Sequence, residues 1–433
     1  MQVIRYPEKS AWKEIVRRPA FETASLESIV SQILDDVKSN GDGALRRYTA
    51  KFDKAEIDDF AVSESEFEAA ENQISAELKT AILHAKENLE IFHRAQIETP
   101  ERIETTPGVV CWRESRAIER VGLYIPGGTA PLFSTVLMLA IPAKLAGCGE
   151  IVLCTPPDAN GKINPAILFA ARACGATKVF KVGGVQAVAA MAYGTESVPR
   201  VYKIFGPGNQ FVTAAKQMVA REGTALDMPA GPSEVAVLAD ESAVPAFVAA
   251  DLLSQAEHGA DSQVLLVTTD EKIIEPVLRE LETQLNRLSR RDLTAQALEN
   301  SRTVLVKNTD EAIDLLNEYA PEHLILACRD DEAVAAKVIN AGSVFLGNYS
   351  CESAGDYASG TNHTLPTGGA ARTFSGVSID SFVKKITFQK LSAEGIKNLG
   401  ATIEAMAAAE GLDAHKNAVT LRLTEVALEK TAV

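Results

Sequence analysis

The chain lacks most of what would tie it to an exported, membrane or nucleic-acid-binding class. Its six cysteines, at 111, 148, 154, 174, 328 and 351, are scattered through 433 residues without a C-x-x-C pair. That excludes a disulfide-stapled scaffold and a cysteine-built zinc site, and leaves reduced, mostly buried thiols. Positive charge is scarce: 43 Lys and Arg against 58 Asp and Glu give a net charge of -15, which opposes a phosphate-backbone partner. Aromatics make up 6% of the chain, and no basic-aromatic stripe marks a nucleic-acid surface. The longest apolar run, 132–143, is too short to span a bilayer and contains Pro142. Residues 1–8 carry no apolar core of a signal peptide, so the expected location is cytoplasmic.

What is present is ordinary globular material, 46% hydrophobic and 23% charged, long enough for two or more domains. Residues 1 to about 118 follow a helical period, with helices at 26–34 and 77–92 and a turn at Asn40-Gly41-Asp42-Gly43. His84 and His93 read as solvated residues of this charged region. From Val121 the texture changes to short apolar strands alternating with helices. Strands are predicted at 121–125, 151–155, 178–182, 201–205 and 234–239, and a second set at 262–269, 303–306, 324–327 and 343–346. A βαβα rhythm implies parallel sheets covered on both faces. The expected class is α/β: two tandem Rossmann-like parallel-sheet domains with N-terminal helices and a helical C-terminal tail. The expected division is an arm at 1–20, one α/β domain from 21–120 plus 234–377, a second at 121–233, and a helical tail at 378–433.

Ser254-Gln255-Ala256-Glu257-His258-Gly259 ends a helix opened by Pro245, with Gly259 suited to a left-handed position beyond its end. A 3.6-residue period places Asp251, Gln255 and His258 on one side, beside apolar Val248, Leu252 and Ala256. Buried polar groups need partners, so this helix either borders a site or meets water. Glycine-rich turns follow three strands: Ile125-Pro126-Gly127-Gly128, Val182-Gly183-Gly184-Val185-Gln186 and Phe205-Gly206-Pro207-Gly208-Asn209. Sheets of this class bind ligands at the carboxyl ends of their strands, where helix N-termini attract anions. Phe211 stands where a dinucleotide fingerprint needs its third glycine, so tight turns that merely pack helix on strand fit equally well.

Pro229-Ala230-Gly231-Pro232-Ser233-Glu234 reads as a linker between the α/β units. Pro321-Glu322-His323-Leu324 begins a strand. Each of its two polar residues is a candidate acid or base, although alternation can turn them to opposite faces. Residues 347–369 form a long Gly/Ser/Asn loop that offers Asp356 and His363, and Glu410 and His415 flank a break in the tail. Four of six histidines, at 258, 323, 363 and 415, thus stand at element ends or in special loops. H-E-x-x-H is absent. The residues alone nominate His258, Asp356 and one more histidine for a metal, with Glu257 as rival to Gln255. Cys154, at a strand end, is either a thiol nucleophile or a small core residue.

These motifs together resemble the histidinol dehydrogenases. The resemblance rests on 121–128, 205–209, 227–234, 254–259, 321–324, 355–369 and 414–419, and spans nearly the whole chain. It implies oxidation of L-histidinol through L-histidinaldehyde to L-histidine, the final steps of histidine biosynthesis, with two NAD reduced in succession. It implies Zn2+ on Gln255, His258, Asp356 and His415, and substrate held by those residues with Ser233, Glu322, His323, His363 and Glu410. His323 is then the general base, Glu322 the activator of water, and Tyr124, Gln186 and Asn209 the NAD contacts. Cysteine is given no role. The resemblance also implies a homodimer in which the tail, with Glu410 and His415, completes the partner's site. The rival readings are an NAD-linked dehydrogenase of another amino alcohol, a metallohydrolase and a non-catalytic binding module. Nucleic acid and membrane are expected as partners of none of these.

Overall fold

The computed structural model describes residues 1–18, 24–127, 131–229 and 231–431. Gly128, Ala230 and the end of the expected 1–20 arm lie outside the described residues. Among the described residues, fourteen strands follow in chain order. They are β1 (Gln2–Arg5), β2 (Arg102–Thr106), β3 (Val109–Ala117), β4 (Arg120–Tyr124), β5 (Glu150–Thr155), β6 (Lys178–Lys181) and β7 (Lys203–Phe205). Then come β8 (Ala225–Leu226), β9 (Glu234–Ala239), β10 (Gln263–Thr268), β11 (Arg302–Leu305), β12 (His323–Ala327), β13 (Ser343–Leu346) and β14 (Val383–Leu391).

Two of the three sheets are parallel throughout, as the βαβ rhythm predicts. One has the order β6-β5-β4-β7-β8 and the other β1-β11-β10-β9-β12-β13. Their central strands are continuous runs of Val, Leu, Ile and Ala because both faces are covered. On one face of the five-stranded sheet lie helices Ala24–Phe52, Gly184–Tyr193 and Gln210–Arg221; on the other lie Ala76–Arg94, Phe133–Ala146 and Pro165–Cys174. The N-terminal helices therefore pack on the sheet of residues 120–226, against the expected grouping of 21–120 with 234–377. β1, from the arm, extends the other sheet. The break at Asn40–Gly43 is present: Gly41 has φ 48° and ψ -130° inside an otherwise helical stretch.

The chain forms two compact units, one of residues 1–96 and 118–382, the other of 97–117 and 383–433. The second holds the antiparallel sheet β14-β3-β2 and the helices Ala393–Ala409 and Asp413–Thr431. The helical C-terminal tail is thus present, with strand β14 ahead of its helices inside 378–433, and β2 and β3 interrupt the residues before 118 that follow a helical period. These strands escaped the sequence reading because none has a fully buried face, β3 being mostly half-buried and β2 and β14 more exposed, and they carry charge between apolar positions. Trp112 stacks on Phe388 at 5.3 Å to fix the pairing.

Buried charge fixes one turn that matters below. The Lys216 ammonium donates to the Asp227 carboxylate at 2.5 Å and to the Gly206 carbonyl at 2.9 Å, while the Gly206 amide donates to Asp227 at 2.8 Å. Gly206 has φ 119°, and a Cβ there would lie 2.1 Å from the Tyr124 carbonyl oxygen, so no other residue fits. Lys216→Met should cost about 3–5 kcal/mol in urea unfolding, because it strands a buried carboxylate. Lys178→Ala, which breaks the more exposed Lys178–Glu150 pair, should cost less than about 1 kcal/mol. Equal losses would refute this account of the turn.

Candidate active site

Helix Pro245–Ala256 opens on Pro245 as predicted and delivers Gln255 to the edge of the six-stranded sheet. It passes through Glu257 in right-handed geometry, and Gly259 is absent from the positive-φ residues, which corrects its expected left-handed role. Gln255 is 1% exposed, and Glu257 is only half-buried. The Gln255 amide nitrogen donates to the Glu322 carboxylate at 3.1 Å and to the Glu234 carbonyl at 3.3 Å. Glu322 also accepts from the Glu234 amide at 2.9 Å. Glu322 and His323 are both buried, the carboxylate 3.7 Å from Nδ1 of the imidazole. They share one pocket because Glu322 precedes the first residue of β12 and is free of its alternation.

The imidazole is polarised in one sense. Nδ1 of His323 lies 3.3 Å from the Glu234 carbonyl, which only accepts, so Nδ1 carries the proton. Nε2 has no hydrogen-bond partner and lies 3.4 Å from Oδ1 of Asp356. Burial opposes charge on His323, but Glu322, Glu352 and Asp356 outweigh it and raise its pKa to about 10. Burial raises Glu322 to about 8 in spite of His323. Burial likewise lifts Glu352 well above the usual carboxylate range and Asp251 to about 7. For Asp356 burial is outweighed by His323, and its carboxyl is lowered.

His258, Glu352 and Asp356 bring ligand atoms within 4.8 Å of one another. Part of the His258 ring meets solvent, yet the crowding around it lowers its pKa. Beside this triad, Oε1 of Gln255 and Oδ1 of Asp356 are buried and unpartnered. Imidazole nitrogen and carboxylate and amide oxygens in one spot suit a divalent cation, and Oδ1 of Asp356 otherwise faces only Nε2 of His323 at 3.4 Å. The loop after Asp356 carries the site toward the other sheet. His363 Nδ1 lies 2.8 Å from the Asp356 carbonyl, and its Nε2 lies 3.3 Å from the Thr135 hydroxyl in helix Phe133–Ala146. Asn362 donates to the Met138 carbonyl at 2.6 Å and approaches His93. His93 is 0% exposed, against its reading as a solvated residue.

Tyr124, Gln186 and Asn209 line a separate cavity of about 1190 Å³ at the carboxyl ends of β4, β5, β6 and β7. The Tyr124 hydroxyl accepts from the Gly184 amide at 3.1 Å, and burial raises its pKa to about 12. Asn209 caps helix Gln210–Arg221 through the Phe211 and Val212 amides, each at 3.1 Å. Gln186 keeps a buried, unpartnered Oε1. The carboxyl-end rule thus locates this cavity. It does not locate the carboxylate-imidazole cluster, which lies at the amino ends of β9 and β12.

Of the residues expected to act together, the structure gathers Gln255, His258, Glu322, His323 and Asp356, with His363 hydrogen-bonded beside them. Ser233 is half-buried directly before β9. Glu410 and His415 are exposed and belong to the second compact unit. Cys154 is a buried core residue whose thiol burial pushes far up, which suits the core reading over the nucleophile. The sequence reading missed Glu234, whose backbone orients Glu322, Gln255 and His323, and Glu352, the third member of the triad. Glu352 precedes Asp356 by four residues, one helical turn, and that spacing was the available signal.

A sequence profile described as histidinol dehydrogenase matches residues 16–423. A histidinol dehydrogenase from Bacteroides fragilis is 62% identical over 426 residues, covering 98% of this chain and 100% of its own. One from Yersinia pestis is 52% identical over 424 residues, covering 97% of this chain and 95% of its own. The crystal structure of histidinol dehydrogenase from Elizabethkingia anophelis superposes with a TM-score of 0.97 at 57% identity, covering 98% of each chain. A buried Glu-His pair, a cation-competent triad and agreement over nearly the full length lead to one statement: the chain belongs to the histidinol dehydrogenase family.

Proposed function

We propose that this oxidoreductase converts L-histidinol through L-histidinaldehyde to L-histidine, reducing two NAD in succession. The observation that carries the reading is His323: its Nδ1 is directed at the Glu234 carbonyl, and its buried Nε2 faces Oδ1 of Asp356 at 3.4 Å beside the metal-competent triad. In the first oxidation, Nε2 of His323 takes the alcohol proton as hydride leaves the carbinol carbon for the nicotinamide. Glu322, whose carboxyl titrates near neutral pH, then takes a proton from the water that adds to the aldehyde carbon. His323, having given its proton to the aldehyde oxygen during that addition, takes one hydroxyl proton of the resulting hydrate as the second hydride leaves, and loss of the remaining acid proton to solvent gives the carboxylate. Tyr124, Gln186 and Asn209 are the proposed NAD contacts, at the carboxyl ends of the five-stranded sheet.

Gln255, His258 and Asp356 are proposed ligands of a zinc ion, with His415 of a second copy completing the set in a homodimer. When bound, the zinc would hold the substrate's imidazole and amino groups in register with the acid-base pair. Ser233, His363 and Glu410 are proposed to hold the rest of the substrate. Glu322 and His323 move protons in alternation; the carboxylates that raise His323 to about 10 would be offset by the charge of a bound cation, which would bring its Nε2 into range as a base.

The direct test is NADH formed per L-histidinol consumed. Two NADH, abolished by a chelator and restored by zinc, are expected. His323→Asn should lower kcat about 10²- to 10⁴-fold, whereas Glu322→Gln should stall turnover after the first NADH. One NADH from the unaltered protein would leave a dehydrogenase that stops at the aldehyde. A preference for an amino alcohol lacking imidazole would move the substrate assignment.

Cation uptake should depend on pH in a defined sense. Burial raises Glu322 to about 8 and Glu352 well above the carboxylate range, so protons on these carboxyls compete with a cation bound beside them. Zinc affinity should therefore rise from pH 6 to pH 8, with proton release seen by calorimetry in buffers of different ionisation enthalpy. A pH-independent affinity would count against this site. For the homodimer, mixing His415→Ala and His323→Ala chains under confirmed subunit exchange should restore partial activity. No recovery would argue that the tail acts within its own chain.

A further inference from the structure

Arg18 belongs to the N-terminal segment, yet its guanidinium lies among the groups that deliver Glu322 and His323. Nε and Nη2 donate to the two oxygens of the Glu234 carboxylate at 2.5 and 2.8 Å, a forked pair. Nη2 donates again to the Tyr319 carbonyl at 2.7 Å, with the Ala320 carbonyl 3.5 Å away. The guanidinium also stands 4.2 Å over the Tyr319 ring. The side chains of Arg18 and Glu234 are only 22% and 2% exposed, so water does little to loosen this arrangement.

Both attachments lead to one carboxylate. Glu234 holds Glu322 from one side, because its amide donates to Oε2 at 2.9 Å. On the other side, Tyr319 and Ala320 make the turn that runs into Pro321 and Glu322. Helix Thr309–Tyr319 ends there, where the last carbonyls of a helix lack partners within it. Ala320 takes the turn at φ 51° and ψ 64°, a left-handed conformation that favours glycine. An alanine keeps that conformation only where its surroundings enforce it. Arg18 supplies the enforcement, since it binds the carbonyls of the turn and the Glu234 carboxylate at once.

We propose that Arg18 is a positioning residue for Glu322: it ties the start of β9 to the turn before β12 and so sets where the carboxylate stands beside His323. The inference rests on the acid-base reading above and adds to it a part for the N-terminal segment. Arg18 acts through Glu234 and the turn, without touching substrate or cofactor.

The test uses the full-length, zinc-loaded protein with L-histidinol and NAD. Arg18→Met alone would strand the buried Glu234 carboxylate, so it is combined with Glu234→Gln, which removes that charge. Glu234→Gln by itself is the reference, because its amide oxygen can still accept from Arg18. Against that reference the double variant should lose at least about tenfold in kcat while both KM values stay within about threefold, since a small misplacement of a reacting group is costly. Arg18→Lys keeps the charge beside Glu234 but lacks the planar fork, and it should lose at least about fivefold in kcat. It decides the matter if the double variant fails to fold by urea unfolding. Unchanged kcat in either folded variant, or a loss confined to KM, would overturn the positioning role. Undiminished kcat in His323→Asn would instead overturn the acid-base reading, and this inference with it.

Discussion

Glu234 holds the centre of this molecule through its backbone and its side chain at once. Its amide donates to Glu322, and its carbonyl accepts from Gln255 and faces Nδ1 of His323. Its buried carboxylate takes two bonds from Arg18, at 2.5 and 2.8 Å, and one from the Gly368 amide at 2.9 Å. The start of β9 is thereby fixed to the N-terminal segment and to the end of the loop after β13. Because these bonds form out of water, each orients its neighbour firmly, and the loss of any one would leave a buried polar group bare. The orientation of His323, with Nε2 turned toward Asp356, follows from this one residue's position.

The two parallel sheets present opposite ends to the chemistry. The cavity with Tyr124, Gln186 and Asn209 lies at carboxyl ends, where glycine-rich turns and helix N-termini expose amides. The acid-base pair lies at amino ends, where helix Pro245–Ala256 finishes and β12 begins. What connects them is the segment after Asp356, through His363 to Thr135 and Asn362 to Met138. That explains a long irregular stretch in a compact fold: it spans from one sheet's edge to a helix on the other. Burial of Asn362 and His93 secures the span.

The strands were legible because buried parallel strands read as unbroken apolar runs, and all nine expected from 121 onward lie within two residues of the observed limits at each end. Glu322-His323, Gln255 and Asp356 were legible as polar residues at element ends. β2, β3 and β14 were not, since exposed antiparallel strands carry charges that mimic a helical surface. His93 misled for a related reason: its helix is charged, and only the return of Asn362, far along the chain, marks the face it buries.

By itself the sequence determined the α/β class, the glycine-rich turns and the residue types able to move protons or bind a cation, because local pattern and chemistry specify those. Which of these groups meet was left to the tertiary structure. Gln255 reaches Glu322 across 67 residues, and Glu234 reaches His323 across 89. Contacts of that range leave no local periodicity, and Glu352 becomes a buried carboxyl beside His323 only after the helices and sheet close over it.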